Sequence, residues 1–195
     1  MKRFWAAVAG IGMVFGCSVA GAADLKTVGD EKAPATIYLF SSFTCPHCAH
    51  YHEEVLPTLK ERFIKTGKAK LVFVDMAYDA RAMAGAMLSR CVAQEQYEAL
   101  LKVLYENQGV WAYGDNPKQK LIGYARLLGM SETDVNRCLA DKKLQQSIKE
   151  QRDNLARLYN VQGMPTTVLL KQGVPQTFVG ADANVVLSGL ERALD

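Results

Sequence analysis

The sequence predicts an α/β fold in which an all-helical block separates two groups of strands along the chain. A strand–helix–strand pattern occupies residues 35–75. Residues 79–159 then follow a helical pattern throughout, and strand patterns return at residues 166–179 before a last helix. The order is therefore βαβ, then helices, then ββα.

Two strands are predicted in the first part of the chain. Residues 35–42 are the first clear strand, and residues 24–33 before it are predicted to be a short polar lead-in. Residues 70–75 are the second strand. Because this second strand is mostly apolar, we expect it to lie centrally in the sheet with both faces covered.

A helix is predicted between these strands, over residues 49–66. Pro57 lies inside it and lacks a backbone N–H, so we expect a kink near Glu53. One broad face is expected to pack on the sheet. That face carries Cys48, His52, Val55, Leu56, Leu59 and Phe63.

Helical candidates fill the block that follows. Residues 109–114 form an aromatic segment bounded by glycines, which is predicted to be a loop and is either a core plug between helices or part of an apolar rim around the functional site. Ser131 with Asp134 three residues later is typical of a helix N-terminus closed by a capping box. The candidate helices span residues 79–93, 95–107, 117–129, 131–140 and 142–159.

A hairpin and a helix are predicted at the end of the chain. Residues 166–170 are β-branched and apolar, residues 171–173 form a turn, and residues 175–179 form the partner strand. Residues 181–194 are predicted to be a helix. Its expected buried set is Val185, Val186, Leu190 and Leu194.

Chemistry is expected at the motif Cys45-Pro46-His47-Cys48, which follows the first strand and begins the helix. The first helical turn has unpaired N–H groups and the positive end of the helix dipole, so a Cys45 thiolate is stabilised there. Pro46 presets the first turn, and protonated His47 adds a positive charge, so both are predicted to tune the ionisation of Cys45. A stabilised thiolate is a good leaving group, which makes a Cys45–Cys48 disulfide oxidising.

Two other interpretations of the motif stay open. A zinc site could use Cys45, Cys48, His50 and His52, but an ideal helix turns His50 about 140° away from Cys45. A purely structural Cys45–Cys48 disulfide is the second alternative. A Cys-x-x-Cys motif at a strand-to-helix junction favours redox chemistry over both. We expect His50 and His52 to be surface or packing residues rather than catalytic ones.

These residues resemble the active site of the DsbA-like thiol:disulfide oxidoreductases. The likeness rests on Cys45-Pro46-His47-Cys48, on Phe40-Ser41-Ser42-Phe43 before it, and on the late Met164-Pro165-Thr166-Thr167. It covers most of the chain after residue 33. The resemblance implies a thioredoxin-like fold with an inserted all-helical domain. The thioredoxin-like domain would then comprise residues 24–77 and 160–195, and the inserted domain residues 78–159.

The resemblance also assigns a role to Met164 and Pro165. It implies a cis bond at Pro165, opposite the redox pair, which would leave the backbone of Met164 free to pair with an extended substrate. Without the resemblance, Pro165 fits an ordinary strand-opening residue equally well. Two residues depart from the family pattern: relatives often carry Val or Thr in place of Met164, and many have a buried acid in place of Leu39. Substrate preference and proton handling at Cys48 are therefore not transferred from the family.

The remaining cysteines are expected to form a second disulfide. The chain has five cysteines. Cys17 would be removed with a signal peptide, and Cys45 and Cys48 belong to the motif, so Cys91 and Cys138 remain. Leftover pairs in an oxidising compartment usually join, and some DsbA-like proteins carry a second, non-catalytic disulfide. Two separately buried thiols are the alternative.

The N-terminus predicts a signal peptide over residues 1–22, with a charged start, an apolar stretch and a small-residue cleavage site. An uncleaved membrane anchor and lipidation at Cys17 are the alternatives. Removal of Lys2 and Arg3 lowers the formal net charge from +3 to +1. A nearly neutral protein gives no electrostatic reason to expect a nucleic-acid partner.

The predicted function is that of a periplasmic oxidase, which donates its Cys45–Cys48 disulfide to reduced exported proteins through a mixed disulfide at Cys45. The resemblance implies a DsbB-like, quinone-linked membrane partner that reoxidises it, and no metal or organic cofactor. A monomer is expected. The alternatives are a disulfide reductase or isomerase, which a dimer would favour, and a non-catalytic metal-binding or chaperone module, which stable metal binding or failure to oxidise peptides would favour.

Overall fold

A computed structural model describes residues 25–195 of the chain. The predicted signal peptide at residues 1–22, with the candidate lipidation site Cys17, lies outside these residues. Within residues 25–195, no helix is both long enough and apolar enough to cross a membrane.

The first and last parts of the chain join in one sheet, with strand order β1-β3-β2-β4-β5. β2 and β3 are parallel, and each other neighbouring pair is antiparallel. This mixed sheet confirms the predicted α/β class. The strands are β1 (Thr27–Val28), β2 (Ala35–Ser41), β3 (Lys70–Asp75), β4 (Thr166–Lys171) and β5 (Val174–Val179).

β1 corrects one sequence prediction, because residues 24–33 were expected to be only a polar lead-in. Thr27 lies opposite Val72 and Val28 opposite Leu71 in an antiparallel pair. The amide of Phe73 also donates to the carbonyl of Lys26 at 2.9 Å. Two residues are too few to show an alternation of apolar and polar side chains. They pair with β3 because the backbone N–H and C=O groups at its edge would otherwise be unpaired.

The first helix, α1, spans residues 46–64 and begins at the redox motif. The turn before Pro57 is widened: the amide of Leu56 donates to the carbonyl of Tyr51, five residues back. The kink expected near Glu53 stays a prediction. Pro57 has no N–H, and its ring crowds the carbonyl of Glu53. The segments are α-helical Pro46–His50 and Leu56–Leu59, and π-helical Tyr51–Val55 and Lys60–Ile64.

The helical block lies between β3 and β4, as predicted. Ser131 and Asp134 form the expected capping box. The aromatic segment was predicted to be a loop, but its first part is helical, over Gln108–Trp111. Trp111 is fully buried, as a core plug requires, whereas Tyr113 is 56% exposed. The helices are α2 (Ala80–Cys91), α3 (Tyr97–Glu106), α4 (Gln108–Trp111), α5 (Pro117–Leu127), α6 (Glu132–Ala140) and α7 (Lys142–Leu158), with a 3₁₀ turn at Gln94–Gln96.

Apolar cores cover both faces of the sheet. Leu71 and Phe73 of β3 belong to the larger core, which includes α1 and the helical block. Val74 belongs to the smaller core, where Phe40 packs with Tyr159 from the end of α7. The prediction that this strand is covered on both faces is therefore confirmed.

The chain ends with the predicted hairpin and helix. The two turn residues, Gln172 and Gly173, both have positive φ, as the tight turn between β4 and β5 requires. The last helix, α8, spans Ala183–Leu194. Val186 and Leu190 are buried in it, but the predicted burial of Val185 is wrong, because this side chain is 54% exposed. Val185 lies next to Val186 on the helix and so points to a different side.

Candidate active site

Cys45 lies where the chain leaves β2 and enters α1. It is the N-cap residue, with extended backbone angles, and Pro46 occupies the first helical position. The carbonyl of Cys45 accepts hydrogen bonds from the amides of Cys48, at 3.0 Å, and Ala49, at 3.1 Å. Its side chain is half-buried. The sulfur of Cys45 is thus at the open end of the helix, where backbone N–H groups face outward.

Cys48 lies one turn deeper and is fully buried. Its sulfur accepts a hydrogen bond from the amide of Ser42 at 3.4 Å. Burial raises the pKa of the Cys48 thiol to about 12, although hydrogen bonds from the Ser41 hydroxyl and the Ser42 amide act in the opposite direction. The two thiols are therefore unequal: Cys45 is accessible, and Cys48 strongly prefers to hold its proton.

The loop before β4 lies beside Cys45. The Met164–Pro165 peptide bond is cis. The Cys45 thiol points to the carbonyl oxygen of Met164 at 3.8 Å. The carbonyl of Pro165 accepts from the amide of Gly180, at 2.9 Å, which ties the loop to the end of β5. The structure thus brings together Cys45, Cys48, Met164 and Pro165.

The histidines of the motif region occupy different surroundings. His47 and His50 are exposed, together with Pro46. His52 is half-buried and stacks on Tyr105, with 3.8 Å between ring centres. Across residues 25–195, no three His, Cys, Asp or Glu side chains are grouped so that they could hold a metal ion.

The helical block holds residues 43–48, here called the redox turn, through Gln108, which sequence reasoning did not identify, and through Tyr113 of the aromatic segment. The side-chain amide of Gln108 donates to the carbonyls of Phe43 and Cys45, at 3.0 Å each. Tyr113 donates to the carbonyl of Thr44. The only signal in the sequence is that Gln108 precedes the aromatic segment at residues 109–114.

The side chain of Phe43 packs against two helices of the helical block. Its ring stacks on Tyr105 with 5.1 Å between ring centres. Gly85 of α2 also lies against this ring, since an added Cβ at Gly85 would come to 3.0 Å from Phe43. A larger residue at position 85 would therefore require Phe43 to shift by a few tenths of an ångström.

Hydroxyl groups lie in the part of the core around Leu39, which is fully buried and apolar. The hydroxyl of Ser41 is 2.8 Å from that of Tyr105. The hydroxyl of Tyr51 is 2.7 Å from that of Thr167 on β4. A buried carboxylate also lies close by, because Asp75 of β3 is opposite Ser41 and pairs with Arg90.

Cys91 and Cys138 are joined by a disulfide, with 6.2 Å between their Cα atoms. The bond links the end of α2 to α6, on the helical block. Cys138 is buried, and neither cysteine belongs to the redox turn.

Known proteins agree with this geometry. The chain matches the thioredoxin family over residues 24–178. The crystal structure of alpha-DsbA1 from Wolbachia pipientis is similar, with a TM-score of 0.78, 26% identity, and coverage of 88% of this chain and 90% of that one. BdbD from Bacillus subtilis, in its oxidised form, has a TM-score of 0.73 at 19% identity over 88% of this chain and 94% of its own, which shows the fold alone.

A sequence relative from Rickettsia typhi, named as a candidate protein-disulfide oxidoreductase, is 26% identical over 140 residues, or 71% of this chain and 52% of its own length. This chain spans about half the length of the Rickettsia relatives that it matches. The fold, with Cys45 and Cys48 at the start of its first helix, is that of a thioredoxin-like protein. The chain belongs to the thioredoxin family. The similarity to alpha-DsbA1 of Wolbachia pipientis confirms the resemblance to the DsbA-like oxidoreductases.

Proposed function

We propose that this chain is a periplasmic thiol:disulfide oxidase that donates its Cys45–Cys48 disulfide to reduced exported proteins. The observation that carries the proposal is the inequality of the two thiols. Cys45 is accessible at a helix N-terminus beside the Met164 carbonyl, whereas Cys48 is buried with its pKa raised to about 12. An incoming thiolate meets only Cys45, and the reduced state keeps the Cys48 proton.

The reaction proceeds in two exchanges. A substrate thiolate attacks the sulfur of Cys45, the Cys45–Cys48 bond breaks, and its electron pair passes to Cys48, which takes up a proton. A second substrate thiolate then attacks the substrate sulfur of the mixed disulfide, and Cys45 leaves as a thiolate. The substrate loses two electrons and gains a disulfide, and the protein gains both electrons.

The loop before β4 supplies the substrate-binding edge. Met164 precedes the cis proline, and its carbonyl faces the Cys45 sulfur. An extended substrate segment paired with the backbone of Met164 would bring its cysteine to Cys45. We assign Met164 and Pro165 to substrate binding, and Pro46 and His47 to tuning the ionisation of Cys45.

Turnover requires reoxidation of the Cys45–Cys48 pair. The membership in a DsbA-like group supports a DsbB-like, quinone-linked membrane partner for this step. The predicted signal peptide supports a periplasmic location, where both the partner and exported substrates would be met. We propose that the protein acts as a monomer, and a dimer in size-exclusion chromatography would favour an isomerase instead.

The test is oxidation of reduced, unfolded ribonuclease A by the purified oxidised protein, followed as loss of free thiols. We expect oxidation by the wild-type protein at a one-to-one stoichiometry without other oxidants. Cys45→Ser is expected to lower the rate to that of buffer alone. Cys48→Ser is expected to form a lasting mixed disulfide with oxidised glutathione, because no second thiol remains to resolve it.

Cys91→Ala/Cys138→Ala serves as the control, since it removes two cysteines away from the turn. This variant should oxidise ribonuclease A like the wild type. Equal loss of activity in the control and in Cys45→Ser, or no oxidation by the wild-type protein, would contradict the proposal.

A further inference from the structure

Two buried hydroxyl groups join α1 to β4. The hydroxyl of Tyr51, on α1, lies 2.7 Å from that of Thr167, on β4, and both side chains are fully buried. Burial raises the pKa of the Tyr51 phenol, so this hydroxyl keeps its proton and can donate it in a hydrogen bond. Within residues 25–195, this is the one hydrogen bond that links the side chains of these two elements.

Apolar side chains of α1 and β4 also pack together in the larger core, among them Val55 and Leu59 of α1 and Leu169 of β4. Apolar packing has no preferred direction, whereas a hydrogen bond fixes both a distance and an angle. Backbone hydrogen bonds hold β4 against β2, but α1 rests on the sheet through its side chains. The bond between Tyr51 and Thr167 therefore fixes how α1 is placed along β4.

The loop that carries Met164 is attached to β4. The hydroxyl of Thr166 donates to the carbonyl of Gly163 at 2.9 Å, and the carbonyl of Pro165 accepts from the amide of Gly180 at 2.9 Å. The side chain of Met164 packs against both apolar cores of the sheet. With its side chain held in this way, Met164 offers its backbone to a substrate, and the loop follows β4 when β4 shifts against α1.

Cys45, on the other side of the site, follows α1. Its carbonyl accepts from the amides of Cys48 and Ala49 in the first helical turn. The distance of 3.8 Å between the Cys45 sulfur and the carbonyl oxygen of Met164 thus depends on how α1 is placed against β4. The bond between Tyr51 and Thr167 acts on that placement directly.

We propose that Tyr51 and Thr167 are positioning residues, which set the Cys45 sulfur at the right distance from a substrate segment paired with Met164. This inference rests on the proposed redox function. A substrate thiolate must reach the Cys45 sulfur while its own backbone is paired with Met164, so both requirements are met only at one placement of α1 against β4. A displacement of about 1 Å at a reacting centre can cost about a hundredfold in rate.

The role concerns substrates that have a peptide backbone. A small dithiol such as dithiothreitol has no amide groups and reaches Cys45 without pairing with Met164. The Tyr51–Thr167 bond should therefore favour extended polypeptides over small thiols as the reductants of the Cys45–Cys48 disulfide.

The test compares these two kinds of reductant. Oxidised protein is mixed either with a reduced, unfolded peptide that carries two cysteines or with dithiothreitol. The reaction is quenched with excess N-ethylmaleimide, and the labelled protein is measured by mass spectrometry. We expect Tyr51→Phe and Thr167→Val each to lower the rate with the peptide by about tenfold and to leave the rate with dithiothreitol unchanged. The double variant should be no slower than either single one, because all three lack the same bond.

Further variants separate positioning from folding. Tyr51→Phe removes a single oxygen atom and keeps the ring, so it tests the proposal even where Thr167→Val does not fold. Thr167→Ser keeps the hydroxyl and should retain most of the wild-type rate with the peptide. Ser89→Ala, which removes a buried hydroxyl bonded to Ala86 in α2, is the control and should match the wild type with both reductants.

The outcomes distinguish the two proposals. Wild-type rates with the peptide in both Tyr51→Phe and Thr167→Val would overturn the positioning role and leave the redox function intact. An equal loss of rate with both reductants would also overturn it, because the variants would then act on the thiols and not on the placement of the substrate. A wild-type protein that oxidises neither reductant would overturn the redox function, and this inference with it.

Discussion

At the scale of single residues, Asp79 connects the redox turn to the helical block. Its carboxylate caps α2 by accepting from the amides of Arg81, at 2.9 Å, and Ala82, at 2.8 Å. It also accepts from the hydroxyl of Thr44 at 2.6 Å, next to Cys45. Burial alone raises the pKa of Asp79, but these hydrogen bonds and the charge of Arg81 outweigh it, so the pKa lies below the usual 3.8.

We predict that Asp79→Ala lowers the free energy of unfolding at pH 7 by about 1 kcal/mol, as loss of an N-cap usually does. Because the pKa is lower in the folded protein than in the unfolded chain, the stabilisation is present above about pH 4 and is lost as the pH falls through the folded value. The difference between variant and wild type should therefore shrink on acidification. Urea unfolding at pH 7 and at pH 3 measures it.

Asp141→Ala is the matched control, because Asp141 caps α7 through the amides of Lys143 and Leu144, without a contact to the redox turn. It should cost similar stability but leave the reaction of Cys45 with glutathione unchanged, whereas Asp79→Ala should alter it through Thr44. Equal effects of both variants on that reaction would contradict the link.

The sequence predicts the positions of single residues only where a local pattern determines them. The motif places Cys45 at the helix N-terminus and Cys48 one turn inside, as the structure shows. The sequence does not reveal Gln108 as part of the site, and it does not reveal the contact that Ser41 makes with Tyr105. The side chain of Gln108 meets a residue 65 positions away, and Ser41 meets Tyr105 across 64 positions, and no local periodicity encodes such contacts.

At the scale of elements, the Cys91–Cys138 disulfide fixes α2 to α6. It closes a loop with a sequence separation of 47 residues. Cross-linking a loop of that length restricts the unfolded chain and should stabilise the fold by about 4 kcal/mol in the chain-entropy description. The bond therefore maintains the helical block that carries Gln108 and Asp79.

We predict that Cys91→Ala/Cys138→Ala lowers the free energy of unfolding by about 2–5 kcal/mol, because the unfolded chain regains its freedom. Guanidinium unfolding at equilibrium, followed by circular dichroism, measures this change. A loss below about 1 kcal/mol would show that the bond is strained or that the unfolded chain is already compact. The wild type treated with a reductant strong enough to open both disulfides should match the variant.

Most elements are predictable because their patterns are long. The strands near residues 35–42 and 70–75, the helices of the block and the final hairpin all lie within a few residues of their predicted limits. β1 is too short for a pattern, and the burial of Val185 depends on how α8 is turned against the sheet. The widened turns of α1 follow from Pro57 together with the packing around it, which the sequence does not specify.

At the scale of the whole molecule, the helical block and the sheet share one functional turn. Gln108 binds two carbonyls of that turn, and its side chain is buried. The block therefore holds the position of the redox turn. The division of the chain into two domains stays a prediction, but the contact between the helices and the turn is direct.

We predict that Gln108→Ala lowers the free energy of unfolding by about 1–3 kcal/mol, because the buried carbonyl of Phe43 loses its side-chain donor. The carbonyl of Cys45 also loses this donor but keeps the amides of Cys48 and Ala49. Amide hydrogen exchange at Cys48 and Ala49 should become faster, since the first turn of α1 loses its support. Gln146→Ala, at an exposed position on α7, is the control and should change neither quantity. Unchanged exchange in Gln108→Ala would show that Tyr113 and Asp79 hold the turn without Gln108.

The pairing of β2 with β4 has a consequence for the nascent chain during its synthesis. Cys45 and Met164 meet across 119 positions of sequence. At a synthesis rate of about 5–20 residues per second, the ribosome makes the redox helix roughly 6–24 s before the loop that will cover it. During that interval Cys48 lacks the later part of the fold around it, and Cys91 waits for Cys138, which is made 47 residues after it, so the nascent chain holds thiols that can pair wrongly. A catalyst of disulfide formation thus faces, in its own biogenesis, the sorting problem that it is proposed to solve for its clients.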